Sequence, residues 1–251
     1  MLKLEHIYWN TPDGTPILKD VDLAIGDGGL TAITGPNGGG KTTLAKIIAG
    51  IEHPMKGRIV FEGEDITDMD VTERAKRGIS YAFQTPVRFK GLTVTDLLEM
   101  AAGRRLDEAA RCELLSKVGL CAEDYEGREV NASLSGGEIK RVEIATILAR
   151  KSRLMVFDEP EAGIDLWSFA GLIDAFEQMK AEGVGTQVII SHQERILQVA
   201  DRIVVIEDGL VKEDGARDAI LPHLLESSRC PRCPMPDPEV RARHAAKEAR
   251  R

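Results

Sequence analysis

One stretch constrains this chain more than any other: a short apolar run that leads without a break into a glycine-rich loop and then a helix. Leu30-Thr-Ala-Ile-Thr34 has the length and apolarity of a buried strand. Gly35-Pro36-Asn37-Gly38-Gly39-Gly40-Lys41-Thr42-Thr43 follows directly. From Thr42 to Ala49, Leu44, Ile47 and Ile48 fall on one helical face, and Gly50 is a helix stop. A strand, the spacing G-x-x-x-x-G-K-T and a helix in that order make a phosphate-binding loop. The glycines let the backbone curl with its N–H groups turned toward phosphate oxygens. Lys41 brings a positive charge for the β- and γ-phosphates, and Thr42 a hydroxyl for Mg²⁺. The helix that follows offers its N-terminus to the anion. The expectation is an α/β fold that holds a nucleotide.

A second cluster points the same way. Leu154 to Phe157 is an apolar run that ends on Asp158 and Glu159. Asp158, at a strand end, is placed as a Mg²⁺-orienting carboxylate. Glu159 is the candidate to polarise an attacking water. Leu2 to Ile7, Leu18 to Ile25, Arg58 to Phe61, Ile79 to Phe83, Val188 to Ile190 and Ile203 to Ile206 also read as strands. Leu92 to Gly119, Ser135 to Ala149 and Trp167 to Lys180 carry helical spacing. Such alternation predicts a mostly parallel, covered sheet. We read residues 1–85 and 150–225 as the core, residues 86–149 as an inserted helical subdomain, and residues 226–251 as a tail. The tail has four prolines between Pro231 and Pro238 and an end rich in Ala and Arg.

Composition narrows the function classes. The chain has 251 residues, 43% hydrophobic and 29% charged, which suits a globular protein with a sizeable core. Its net charge of −8 argues against nucleic acid as the main partner. No apolar run reaches the ~18 residues of a membrane span. The alternation from Leu2 onward is unlike a signal peptide. A cytoplasmic protein with no direct membrane insertion is expected. Cys112, Cys121, Cys230 and Cys233 are too dispersed for a disulfide framework. Cys112 and Cys121 are expected as small buried hydrophobes. Cys230-Pro-Arg-Cys233 has metal-ligand spacing but is half of a tetrahedral site. It reads first as a proline-rich turn. A zinc or iron site completed by a second subunit or partner, and redox chemistry, are the alternatives.

Between the two nucleotide motifs lies Leu134-Ser135-Gly136-Gly137-Glu138. The three motifs in this order resemble those of ABC ATPases, over about residues 2–220. The resemblance implies a P-loop NTPase core with an inserted α-helical subdomain, ATP and Mg²⁺ as ligands, and hydrolysis to ADP and phosphate. It also implies an ATP-dependent homodimer, with each ATP held by one P-loop and the facing Ser135, Gly136 and Gly137. Gln84 resembles the Q-loop glutamine that senses Mg²⁺ and the attacking water, and His192 the switch histidine near the γ-phosphate. The implied catalytic set is Lys41, Gln84, Glu159 and His192, with Thr42, Gln84 and Asp158 at the metal. Gly163-Ile164-Asp165 resembles the D-loop of the dimer interface. Two positions depart from the family. Thr11 stands where an aromatic usually stacks on adenine, and Ala162 stands in place of the D-loop serine. Tyr8 and Trp9 lie near Thr11, and strand parity offers them to the core.

The flanking sequence resembles the SufC-like ATPases of iron–sulfur cluster assembly. The stretches are Ala82-Phe-Gln-Thr-Pro-Val87, Arg128-Glu-Val-Asn131, Ser135-Gly-Gly-Glu-Ile-Lys-Arg-Val-Glu-Ile144 and Ser191-His-Gln-Glu-Arg-Ile-Leu197. Lys140 matches a family lysine, and Glu161 keeps an acidic place. That reading implies a soluble SufB- or SufD-like scaffold as partner. Pro160 and Leu92-Thr-Val94 are transporter-like. They support the alternative, an ATP-binding subunit of a membrane transporter.

Overall fold

The structure, a computed structural model, describes residues 2–85, 87–131 and 133–227. The chain begins with β1 (Leu2–Asn10), β2 (Pro16–Ile25), β3 (Leu30–Thr34), α1 (Lys41–Ala49), β4 (Lys56–Phe61) and β5 (Glu64–Asp65). There follow α2 (Val71–Lys76), β6 (Ile79–Ala82), α3 (Val94–Ala102), α4 (Glu108–Ser116), α5 (Ala122–Tyr125) and α6 (Gly136–Arg150). The last elements are β7 (Leu154–Asp158), α7 (Leu166–Ala181), β8 (Thr186–Ile190), α8 (Glu194–Val199), β9 (Arg202–Glu207), β10 (Leu210–Ala216) and α9 (Arg217–Ser227).

A six-stranded sheet runs in the order β10-β9-β3-β8-β7-β6, parallel apart from its β10 edge. All residues of β3, β7 and β8 are buried, as expected of strands covered on both faces. Their alternation splits the core into two layers. Ala32, Met155, Phe157, Ile189 and Val205 pack with Leu98, Leu115, Ile139, Leu172 and Phe176 of the helices. Ile33, Val156, Val188, Ile190 and Val204 pack instead with Leu44, Ile47 and Ile48 of α1. That second layer also takes in Leu2, Leu4, Leu18 and Ile59 from a separate antiparallel sheet, ordered β2-β1-β4-β5. The predicted α/β class is therefore present, with an antiparallel layer that the strand count did not separate from the parallel one.

Caps explain where helices stop and start. The Thr93 hydroxyl accepts from the Asp96 N–H at 3.2 Å, and the Asp96 carboxylate accepts from the Thr93 N–H at 2.8 Å. Gly103, at φ 65°, closes α3 in the left-handed region, and Asp107 caps α4 through the Ala110 N–H at 2.9 Å. The single helical stretch read between Leu92 and Gly119 is thus two helices. Arg74 is fully buried and donates to the carbonyls of Ile48 (3.1 Å), Thr67 (2.9 Å) and Met69 (3.0 Å). It thereby satisfies the open end of α1 from α2.

Other expectations are corrected. Cys112 and Cys121 are exposed. Leu115 is the fully buried residue of α4, and Cys121 is the N-cap of α5. The strand expected to reach Phe83 ends at Ala82, because side chains of α6 take the Phe83 backbone groups. Tyr8 and Trp9 are only half-buried, since the register slips between Ile7 and Tyr8. Cys230, Cys233 and the rest of the tail from residue 228 lie outside the described residues. Among the described residues, no helix is long and apolar enough to cross a membrane.

Candidate active site

The phosphate loop joins β3 to α1 along a path that glycine alone permits. Gly35 has φ 134°, and a Cβ there would lie 2.0 Å from the Ile206 carbonyl oxygen. Gly40 has φ 103°, and its Cβ would lie 2.6 Å from the Leu18 side chain. The loop is therefore pressed against the edge of the core with its curl intact. Lys41 is 5% exposed, and its Nζ donates to the carbonyls of Gly35 (2.8 Å) and Pro36 (2.9 Å). Burial pulls its pKa down, against the opposing fields of Glu159 and Asp158. The ammonium is thus kept folded against its own loop. Asn37, Gly38, Thr43, Ile17 and Glu159 line the cleft beside it.

Asp158 ends β7 at 1% exposure. Its two oxygens accept from the Thr42 hydroxyl (3.1 Å) and the Tyr81 hydroxyl (2.8 Å). Burial pushes its carboxyl up, and these two bonds partly restrain the rise. A hydroxyl and a carboxylate oxygen at the mouth of a phosphate loop are hard donors, of the kind that Mg²⁺ takes. Thr42 and Asp158 therefore fit the ion. Gln84 stands one residue further out, and its amide donates to Glu159 rather than to Asp158. Glu159 itself has φ 43°, an unfavourable value for a side-chain-bearing residue, and its N–H is tied to the Ile190 carbonyl at 2.9 Å. That turn aims Glu159 into the cleft instead of continuing the strand.

Two further groups were not read as a unit from sequence. The Ser191 hydroxyl, at the end of β8, donates to Glu161 and accepts from the Gln193 N–H at 3.0 Å. The other Glu161 oxygen is buried without a hydrogen-bond partner, and burial raises this carboxyl. The bond ties the segment after Asp158 to the segment that carries His192. His192 is exposed beside it.

Ser135, Gly136 and Gly137 lie elsewhere. Ser135 caps α6, accepting from the Glu138 N–H at 3.2 Å, while Glu138 accepts from the Ser135 N–H at 2.6 Å. A Cβ on Gly137 would lie 2.7 Å from the Ser168 hydroxyl, and one on Gly136 would lie 3.1 Å from the Gly163 carbonyl. These residues are packed against Gly163 and against Ser168 at the start of α7, and among the described residues no hydrogen bond joins them to the phosphate loop. Lys41, Thr42, Gln84, Asp158 and Glu159 are thus brought together, and Ser135 to Gly137 are not. Thr11 accepts the Thr15 N–H at 3.1 Å and so clasps its own turn.

Residues 18–162 match the family model described as ABC transporter. An uncharacterised ABC transporter ATP-binding protein of Methanocaldococcus jannaschii is 39% identical, over 86% of this chain and 88% of the relative. An energy-coupling factor transporter ATP-binding protein of Methanosarcina acetivorans is 31% identical, over 89% of this chain and 82% of the relative. Among solved structures, an ATP-binding cassette in a dimeric post-hydrolysis state with ADP and phosphate superposes with a TM-score of 0.76. That likeness covers 86% of this chain and 99% of the other at 24% identity, and it speaks for the fold. Taken with the phosphate loop and the carboxylates at the end of β7, these likenesses place this chain in the ABC transporter ATP-binding family, as an ABC-type ATPase.

Proposed function

We propose that this chain is the ATP-binding subunit of an ABC membrane transporter, and that two copies close on ATP to drive it. The observation that carries this reading is an apolar groove beside Gln84. Two adjoining hollows of about 250 Å³ each share Tyr81, Phe83, Ala101, Thr146 and Ile147. Phe83, Val87 and Phe89 are exposed along the first, and Ile51 and Val71 along the second. Large apolar side chains held open next to a catalytic segment suit a partner's helix. The transporter names of the relatives favour a permease as that partner. This moves the preference away from the scaffold ATPase that the flanking sequence suggests.

In this reading the P-loop of one copy and Ser135, Gly136 and Gly137 of the other hold each ATP. Lys41 exchanges its loop carbonyls for the β- and γ-phosphates. Thr42 and Asp158 would hold Mg²⁺, joined by Gln84 once its amide leaves Glu159, and the ion would supply charge to neutralise the phosphates. Glu159 takes a proton from the attacking water, and His192 meets the γ-phosphate. Closure moves the groove and whatever sits in it. The SufC-like reading, with a SufB- or SufD-like scaffold in the same groove, keeps one specific support in Lys140, the lysine shared with that family. There the cluster chemistry belongs to the partner.

The test is a pull-down of tagged protein from its native cells, from the detergent-free soluble fraction and from solubilised membranes. A permease recovered from the membrane fraction supports the transporter reading. A stoichiometric soluble scaffold recovered without detergent overturns it.

A further inference from the structure

The active-site reading leaves one buried ion pair unused. Lys140 is 1% exposed on α6, and its Nζ lies 3.0 Å from the Glu143 carboxylate, one turn along the same helix. Both groups also reach out of α6. Lys140 donates to the Phe83 carbonyl, and the other Glu143 oxygen accepts the Phe83 N–H at 3.0 Å. The two backbone groups of Phe83 are therefore held by one helix, and β6 stops there. The next residue is Gln84, whose amide holds Glu159. The same helix begins at Gly136 and is capped by Ser135.

A buried ion pair is a poor source of stability. Desolvation offsets its attraction, and apolar residues of similar volume often do as well. Its cost is better explained by the geometry it imposes. Apolar side chains at both positions would pack, but they would leave the Phe83 C=O, held by Lys140, and the Phe83 N–H, held by Glu143, free to extend β6. Gln84 would then lose its fixed starting point.

We propose that Lys140 and Glu143 form a positioning clamp that ties α6, and with it Ser135, Gly136 and Gly137, to Gln84 and Glu159. The inference rests on the reading of Gln84 and Glu159 as hydrolytic residues. It adds a route by which a group engaging the start of α6 fixes the water-activating pair of the same chain. Neither clamp residue touches the reacting atoms.

The test is steady-state ATPase kinetics on the full chain carrying Lys140→Met with Glu143→Leu, in the wild-type and Gln84→Ala backgrounds. Thermal melting and ATP binding confirm that each variant is folded. The clamp predicts a kcat about tenfold lower with KM for ATP within about twofold, and no further loss when Gln84 is already Ala. If the double variant does not fold, Glu143→Asp keeps both charges but withdraws the acceptor from Phe83, and the same pattern is expected. A folded variant with wild-type kcat, or an equal loss in both backgrounds, overturns the clamp. A Gln84→Ala chain that turns over at the wild-type rate would instead sink the active-site reading on which the clamp rests.

Discussion

Lys41 points two ways at once: its ammonium is almost sealed from water, yet both of its hydrogen bonds go to the loop it follows. In the proposed reading those bonds give way to the phosphates when the nucleotide arrives. Lys41→Ala should weaken ATP binding at least about 100-fold by calorimetry, since a charged hydrogen-bond donor to the phosphates is lost along with the loop's internal tie. Binding within about threefold of wild type would contradict that role. Glu161 supports a pH prediction. Burial holds its carboxyl above the ordinary glutamate range, against the lowering effect of the Ser191 hydroxyl. The folded chain keeps this proton where the unfolded chain has lost it. The group's stabilising contribution is therefore fully present at low pH and is lost as pH rises through the raised pKa. Glu161→Gln has no such proton to lose. Its melting temperature relative to wild type should climb as pH rises from the ordinary glutamate range toward neutrality, and a pH-independent difference would contradict the assignment. At this scale the glycine loop, Asp158 and Glu159 were legible, because their chemistry depends on neighbours in sequence. The Ser191–Glu161 bond joins residues 30 apart, and the Gln84–Glu159 bond residues 75 apart. No local pattern reports such pairings.

Among the elements, β7 and α7 show how period-2 burial builds the site. Phe157 points to one layer and Val156 to the other, so Asp158 emerges at the strand end between them. Phe157 meets Phe176 of α7 edge-on, with ring centroids 4.9 Å apart. Phe176 is fully buried. Phe176→Ala should cost about 3–5 kcal/mol in urea unfolding, through lost transfer energy and a residual cavity. A loss under about 1 kcal/mol would mean that α7 is not anchored there. Strands and helices buried on a clear face were read close to their true bounds. β10 was missed because its residues alternate half-buried and exposed at a sheet edge, with Lys212, Glu213 and Asp214 in its middle. α2 was missed because Arg74 does its packing, and a buried arginine leaves no apolar stripe. Cys112 was misplaced because apolar composition within α4 does not tell which face a residue occupies, and Cys121 because it stands outside the helix as the N-cap of α5.

For the molecule as a whole, the separation of the two glycine clusters is decisive. Gly35 to Gly40 curl at the end of β3, while Gly136 and Gly137 open α6 against Gly163 and the start of α7. Among the described residues no hydrogen bond joins the two clusters, and in the proposed reading the second cluster reaches the nucleotide from a second copy. The order of motifs in the sequence points to that pairing through resemblance. The groove beside Gln84 could not be read in advance, since Phe83, Val87, Phe89 and Ile147 converge only after folding. The most direct test is the mass of purified Glu159→Gln by light scattering, with and without saturating Mg²⁺-ATP. The account predicts a monomer without nucleotide and a particle of twice the chain mass with ATP, which falls back when Ser135 is also replaced by Arg. A chain that binds ATP yet stays monomeric at micromolar concentration would contradict it.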